Sequence, residues 1–201
     1  MFRSLLTPLL LFVPPVAQAA VISGPVTDQS TGRRYAVLEQ TTWDLAQAEA
    51  ITLDANLVTI NDQAENDFIL NAFSGLDASN FTPVVTPNDI GFWIGINDIV
   101  TEGSFDWISG EPSNFTNWAP GEPNNLVLGN EDWGMLYARS EPGQWTAGQW
   151  NDAVNVPNQS KPAIIEFNAS AVPEPTSFGA LAAAAIVVGH RRKQRRKGRA
   201  K

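Results

Sequence analysis

The sequence predicts an α+β domain, with two helices early, short antiparallel strands later, and a long irregular loop region near the end. Three observations carry that prediction. Apolar residues at helical spacing are concentrated early, at Trp43, Ala46, Ala50 and Leu53 and again at Phe68, Ile69, Ala72 and Phe73. From Phe92 onward the apolar residues come as short runs of strand type. Between Ser109 and Glu131 periodicity is almost absent, leaving Gly, Pro, Asn, Trp and acidic residues, and a stretch of that kind inside a compact domain tends to carry function.

The elements follow in order. Residues 1–19 hold one basic residue, Arg3, then the apolar run Leu5 to Val16, then Ala17-Gln18-Ala19. This is the composition of a signal peptide cleaved after a small-x-small site, and Pro8, Pro14 and Pro15 argue against a buried helix. Residues 20–170 read as one unit without repeat or linker. Tyr35 to Leu38 is a short strand. Thr42 is placed to cap the first helix, and Leu57 to Ile60 is an extended piece. Asp62-x-x-Glu65 forms a capping box ahead of the second helix. Phe92 to Ile96, Phe105 to Trp107, Asp132 to Tyr137 and Ala163 to Phe167 supply the remaining strands.

Residues 171–201 form a tail of three parts: Pro173-Glu174-Pro175, an uncharged stretch from Phe178 to Gly189, and a basic cluster from Arg191 onward. Only about a dozen residues are strictly apolar, short of the ~20 that span a bilayer comfortably. Cations flanking an apolar segment nevertheless obey the positive-inside rule, so a membrane-inserted tail is the expectation. This arrangement resembles the PEP-CTERM sorting signal of Gram-negative bacteria that make extracellular polysaccharide. The resemblance implies processing by an exosortase-type enzyme, transient anchoring in the inner membrane, and delivery to the cell surface or medium. Four Asn-x-Ser/Thr sequons, at Asn80, Asn114, Asn158 and Asn168, would suit a eukaryotic secreted chain but have no role under this reading.

Charge is divided by position. Eight of the 13 basic residues lie in the last eleven positions and Arg3 lies in the leader, which leaves Arg33, Arg34, Arg139 and Lys161 against 20 acids between Ala20 and Pro173. That segment carries 4 − 20 = −16, which argues against nucleic acid as a partner and favours a divalent cation. There is no cysteine, so no disulfide is available. The one histidine, His190, is in the tail, so the body cannot build a Ser-His-Asp or Cys-His site or a His-ligated zinc. Most common hydrolase chemistries are thereby removed; a glycosidase using Glu122 and Glu131 as a carboxylate pair is the least favoured reading, since metal ligation accounts for both acids, and a non-enzyme is expected.

Three acidic motifs recur in order: Glu122-Pro123-Asn124, Glu131-Asp132 and Trp150-Asn151-Asp152. Calcium takes oxygens from carboxylates, amides and carbonyls. These motifs offer the carboxylates of Glu122, Glu131 and Asp152 and the amide oxygens of Asn124 and Asn151. A cis bond at Pro123 would turn both flanking side chains toward one ion. Taken alone, Glu-Pro-Asn is also ordinary vocabulary for a solvated turn.

From Tyr35 to Phe167 the chain resembles the C-type lectin family. The positions that carry the resemblance are Trp43 with Ala46, Leu57 ahead of the helix starting within Asn61 to Asn66, and Trp93 to Asp98. Phe115 to Trp118, the three acidic motifs and Ile164 to Phe167 follow in register. The resemblance implies a C-type-lectin-like fold, two helices flanking small antiparallel sheets with a long irregular calcium-binding loop region, here with no disulfides. It also implies a calcium site at Glu122, Asn124, Glu131, Asn151 and Asp152 that holds a sugar through two hydroxyls. Glu-Pro-Asn goes with mannose or glucose arrangements, because exchanging acid and amide swaps donor and acceptor around the ion. A second calcium would fall on Asp98, Glu102, Asn125, Glu131 and Asp132.

Departures accompany the resemblance. The family's disulfide positions are Ala50 with Ile165 and Trp133 with roughly Asn155. The segment Arg139 to Gly148 is long, and Gln144-Trp145 mimics Gln149-Trp150. Trp43, Trp93, Trp107, Trp118 and Trp150 read as core, whereas Trp133 and Trp145 match no core position and either could stack on a sugar ring. The resulting expectation is an exported, calcium-dependent carbohydrate-binding protein of the cell surface or extracellular matrix, with a mannose-type glycan or exopolysaccharide as partner. The alternative is a domain of this type that binds no sugar and has a structural or protein-adhesion role.

Overall fold

Alternation of apolar side chains onto both faces of a strand is what organises this chain. In β2 (Arg34–Thr41), Tyr35 and Val37 enter one core cluster while Ala36 and Leu38 enter another. The same division recurs in β4 (Gly91–Asn97), with Phe92, Ile94 and Ile96 on one face and Trp93 on the other, and in β8 (Lys161–Phe167), with Ile164 against Ala163 and Ile165. Strands buried on both faces form the middle of a sheet. The structure, a computed structural model, describes residues 20–76, 91–126 and 129–169. Residues 1–19, expected to be a leader, residues 171–201, expected to be a sorting tail, and Asn80 lie outside the described residues.

The remaining strands are β1 (Val21–Thr27), β3 (Ala55–Leu57), β5 (Asp106–Trp107), β6 (Trp133–Tyr137) and β7 (Trp150–Ala153). Their order in the sheet is β1-β2-β8-β4-β6-β7, with β3 added to β8 and β5 to β4. All pairings are antiparallel except one, where Trp93 of β4 lies parallel to Ala163 of β8. That contact joins what the sequence suggested as separate small sheets into one mixed sheet. Gly95 sits where the chain crosses Leu57 and Val58; a Cβ there would meet the Leu57 carbonyl oxygen at 2.7 Å.

Helix α1 (Trp43–Thr52) covers one face of the sheet and α2 (Gln63–Phe73) the other. Asp62 caps α2 by accepting from the Glu65 N–H at 2.9 Å, and Glu65 reaches back to the Asn61 N–H at 2.8 Å. Ala72, expected inward, is exposed, because the buried stripe runs through Glu65, Asn66, Ile69 and Phe73. Thr42 stands at the N-cap of α1, but its side chain makes no capping hydrogen bond. Asn155 does that work from the far side of β7: its Oδ1 accepts from the Trp43 N–H at 2.7 Å and its Nδ2 donates to Asp44 Oδ2 at 2.5 Å. Ala50 and Ile165 are both fully buried in the α1-side core, and Trp133 lies opposite Ala153 in the β6–β7 ladder.

One charged cluster braces the opposite corner. Arg33 is paired with Glu166 and, at 2.5 Å, with Glu111, and the Tyr35 hydroxyl donates to Glu65 at 2.5 Å. Burial raises the Glu166 carboxyl to about 7, Arg33 pulling against that shift while Glu65 and Glu111 add to it. The folded protein therefore holds this proton up to a higher pH than the unfolded chain, whose ordinary value is 4.5. This contribution to stability is fully present below the unfolded value and is lost as pH rises through the folded one. Thermal melts from about pH 5 to about pH 7.5 are thus expected to show stability falling in the parent chain and falling less in Glu166→Gln. An equal decline in both proteins would contradict the assignment.

Candidate ion and ligand site

The loop that periodicity could not describe is fastened to the sheet by side chains buried beneath it. Trp150 is fully buried, with Trp107, Phe115 and Trp118 edge-on to it at centroid distances of 5.6, 5.5 and 5.7 Å. Its indole N–H donates to Asn66 Oδ1 at 2.9 Å, and its backbone exchanges hydrogen bonds with Asn117 and Ala119. Asn66 had no functional reading in the sequence, since nothing local distinguishes a helical Asn that satisfies a distant indole. The loop is thereby hydrogen-bonded alongside β7, where Asp152 lies two residues further on.

Asp152 is the centre. It is buried, and its carboxylate accepts from the Asn124 N–H at 3.1 Å to both oxygens and from the Asn125 N–H at 2.7 Å. The Glu122–Pro123 peptide is cis. The Leu126 N–H donates to Asn124 Oδ1 at 2.9 Å and to Glu131 Oε2 at 2.6 Å, and the Glu131 N–H donates to Asn125 Oδ1 at 2.9 Å. The Asn151 amide donates to the Asp152 carbonyl. Glu122 is pushed up to about 7, first by burial and then by the Asp152 carboxylate beside it, with Glu131 adding. All five residues of the first expected set thus belong to one contiguous arrangement.

The second set lies next to it. The Asp98 N–H donates to the Asp132 carbonyl at 3.1 Å, and Asp98 Oδ2 accepts from the Gly103 N–H at 2.8 Å. Asn125, held at φ 48°, donates to Glu102 Oε1 at 2.6 Å. The Asp132 carboxyl is raised, by burial and then by Asp98. Asn125 and Glu131 connect the two sets.

Two atoms are left over. Glu122 Oε2 and Asp98 Oδ1 are buried without a hydrogen-bond partner, one in each set. A buried carboxylate oxygen with no donor is costly, and a hard cation satisfies it. The donor chemistry, carboxylates with amide and carbonyl oxygens, fits calcium rather than a softer metal. Among the described residues, however, no three His, Cys, Asp or Glu side chains are grouped as a ready metal site. Several of the oxygens are instead turned toward loop N–H groups.

The two unassigned tryptophans separate. Trp133 is on β6 beside the second set, half-buried against the α1-side core, with its indole nitrogen buried and unpartnered. Trp145 is at the far end of the β6–β7 hairpin, stacked on Tyr137, and so is not part of this site.

The chain matches the Lectin C-type domain over residues 39–164. It is 35% identical over 111 residues to the low affinity immunoglobulin epsilon Fc receptor of Mus musculus, covering 55% of this chain and 27% of that one. It is 33% identical over 120 residues to the hepatic lectin of Gallus gallus, covering 59% and 47%. The chain thus spans about a quarter to about half the length of these relatives. The cow C-type carbohydrate-recognition domain of CD23, solved in the presence of GlcNAc2Man3 oligosaccharide, superposes with a TM-score of 0.52 at 27% identity, covering 69% of this chain and 89% of that one.

Removing Asp152 leaves two loop N–H groups without their acceptor. Asp152→Ala is expected to lower stability by about 2 kcal/mol even without any ion, since hydrogen bonds to a charged acceptor contribute about 1.5–3 kcal/mol. Denaturant unfolding in chelator checks this; a change under about 0.5 kcal/mol would show that the carboxylate does not hold the loop.

Proposed function

The chain belongs to the Lectin C-type domain family, and from that premise we propose that it is a calcium-dependent carbohydrate-binding domain with a mannose/glucose-type preference. The observation that carries the proposal is the buried, partnerless Glu122 Oε2, with the Asp152 carboxylate beside it and Glu131 near enough to add to its field. Glu122, Asn124, Glu131, Asn151 and Asp152 would hold the ion, the last also through its backbone carbonyl. When bound, calcium supplies an electropositive centre with coordination positions left for two vicinal hydroxyls. The chain's own residues do the selecting: the carboxylates accept from those hydroxyls and the Asn124 and Asn151 amides donate to them. A second calcium would sit at Asp98, Glu102, Asn125, Glu131 and Asp132, where Asp98 Oδ1 is the orphaned atom.

The setting belongs to the same proposal. Residues 1–19 would direct export, and residues 171–201 would act as a PEP-CTERM tail read by an exosortase-type enzyme in a Gram-negative bacterium. The mature domain would then work at the cell surface or in the extracellular matrix, on a mannose-type glycan or exopolysaccharide. Among the described residues no helix is long and apolar enough to cross a membrane.

One observation favours a second reading. Asn124 Oδ1, Asn125 Oδ1 and Glu131 Oε2 already accept loop N–H groups. A loop that satisfies its own oxygens in this way suits a domain of this family that binds no sugar and serves in structure or protein adhesion. Retention on immobilised mannan separates the two readings. With calcium the chain is expected to be retained and chelator to release it, while Asn151→Ala combined with Asp152→Ala flows through. Calcium at 100-fold its Kd should also add about 2.7 kcal/mol to stability. Passage through the column with and without calcium, at unchanged melting temperature, would overturn the proposal.

A further inference from the structure

The β6–β7 hairpin continues well past the last site residue, and its extension is built around one ring. Beyond β6 the chain folds back at Glu141 and Trp145, which exchange backbone hydrogen bonds of 3.0 and 3.2 Å. Ser140 Oγ accepts from the Ala147 N–H at 2.9 Å, and Gln149 Oε1 accepts from the Thr146 N–H at 2.7 Å. The base is clamped to the body, because the Gly148 carbonyl accepts from the side-chain amides of Asn66 at 3.1 Å and Asn117 at 2.9 Å. Both the N–H and the carbonyl of Trp145 are therefore hydrogen-bonded within the hairpin.

The ring itself is held flat. Trp145 lies on Tyr137 with centroids 4.3 Å apart and planes 6° from parallel, and its indole N–H donates to the Arg139 carbonyl at 3.2 Å. Tyr137 is buried under it, whereas Trp145 remains half-buried. One indole face is therefore occupied, the N–H is committed, and the residual exposure belongs to the outer side of the ring. The chain on either side of it is polar, with exposed Arg139, Ser140 and Gln144 and half-buried Glu141. A rigid aromatic face flanked by hydrogen-bonding groups suits the C–H face of a pyranose, whose hydroxyls point outward from an apolar centre.

Pairing along the hairpin sets the relation to the ion site. Met135 lies opposite Asn151, and Tyr137 follows two residues later on the same face of β6. Five residues of strand, at ~3.4 Å each, put the ring about 17 Å from Asp132 along β6. We infer that Trp145 is a second, ion-independent saccharide platform, stacking on an internal pyranose of a polysaccharide chain whose other units reach the ion site. This rests on the saccharide reading above. Two weak sites on one rigid hairpin raise avidity for a polymer over a monosaccharide without any new contact at either site.

Native gel retardation by hydroxyethylcellulose, a soluble β-1,4-linked glucose polymer, tests the platform in the presence of chelator. The parent chain is expected to be retarded, Trp145→Ala to lose at least about ten-fold in apparent affinity, and Trp145→Tyr to retain most of it. Retention of the parent chain on mannan in calcium reports the ion site separately. Passage of the parent through mannan in calcium, with its retardation in chelator kept, refutes the ion site and leaves the platform standing. Absence of retardation in chelator overturns the platform. So does Trp145→Ala migrating like the parent, or a shift in its melting temperature unaccompanied by any change in retardation, which would mark the indole as only a cover for Tyr137.

Discussion

Everything distinctive about this domain depends on the buried carboxylate of Asp152. It lies within β7 and accepts the N–H groups of Asn124 and Asn125, so a loop with no periodicity of its own is referenced to the sheet. Glu122 beside it bears the consequence: with burial and a neighbouring negative charge it is held near 7, far above its ordinary 4.5. The loop is thereby assembled around an excess of negative charge, which is the condition under which a cation contributes most.

The fold supplies that carboxylate with a rigid base in the absence of disulfides. The central strands bury apolar side chains on both faces, so α1 and α2 each close a core of their own against one sheet. Where cross-links are missing, packing and hydrogen bonding hold the same connections. Ala50 and Ile165 are simply buried together, and Asn155 ties the chain after β7 to the start of α1. Trp150 does the equivalent for the loop, enclosed by three aromatic rings and anchored through Asn66. These contacts reach both cores from the residues adjoining the site, which is why the arrangement can be positioned by strands rather than by the loop itself.

Legibility in the sequence follows the range of the interactions involved. Strand β7 was read only as the Trp150-Asn151-Asp152 motif, but both helices and strands β2, β4, β5, β6 and β8 were readable because their signals are local periodicities and short apolar runs. Strand β1 was not: Gly24-Pro25 interrupts its alternation, its residues are largely exposed, and it is defined by pairing with β2 through register shifts. Thr42 looked like a cap because its type and place were right. The acceptor that took the role, Asn155, is 112 positions away. The side chains of the site were legible as a set of acids and amides in a fixed order. What the sequence could not express is how many of those oxygens the loop's own N–H groups occupy, since a backbone donor has no residue type.

Crystals grown with calcium, examined by anomalous diffraction, address the central claim directly. The account predicts an ion with oxygens of Glu122, Asn124, Glu131, Asn151 and Asp152 at about 2.3–2.6 Å, with Glu122 Oε2 among them. Well-ordered loops at saturating calcium, with that oxygen still unpartnered and no ion between the two strands, would contradict it.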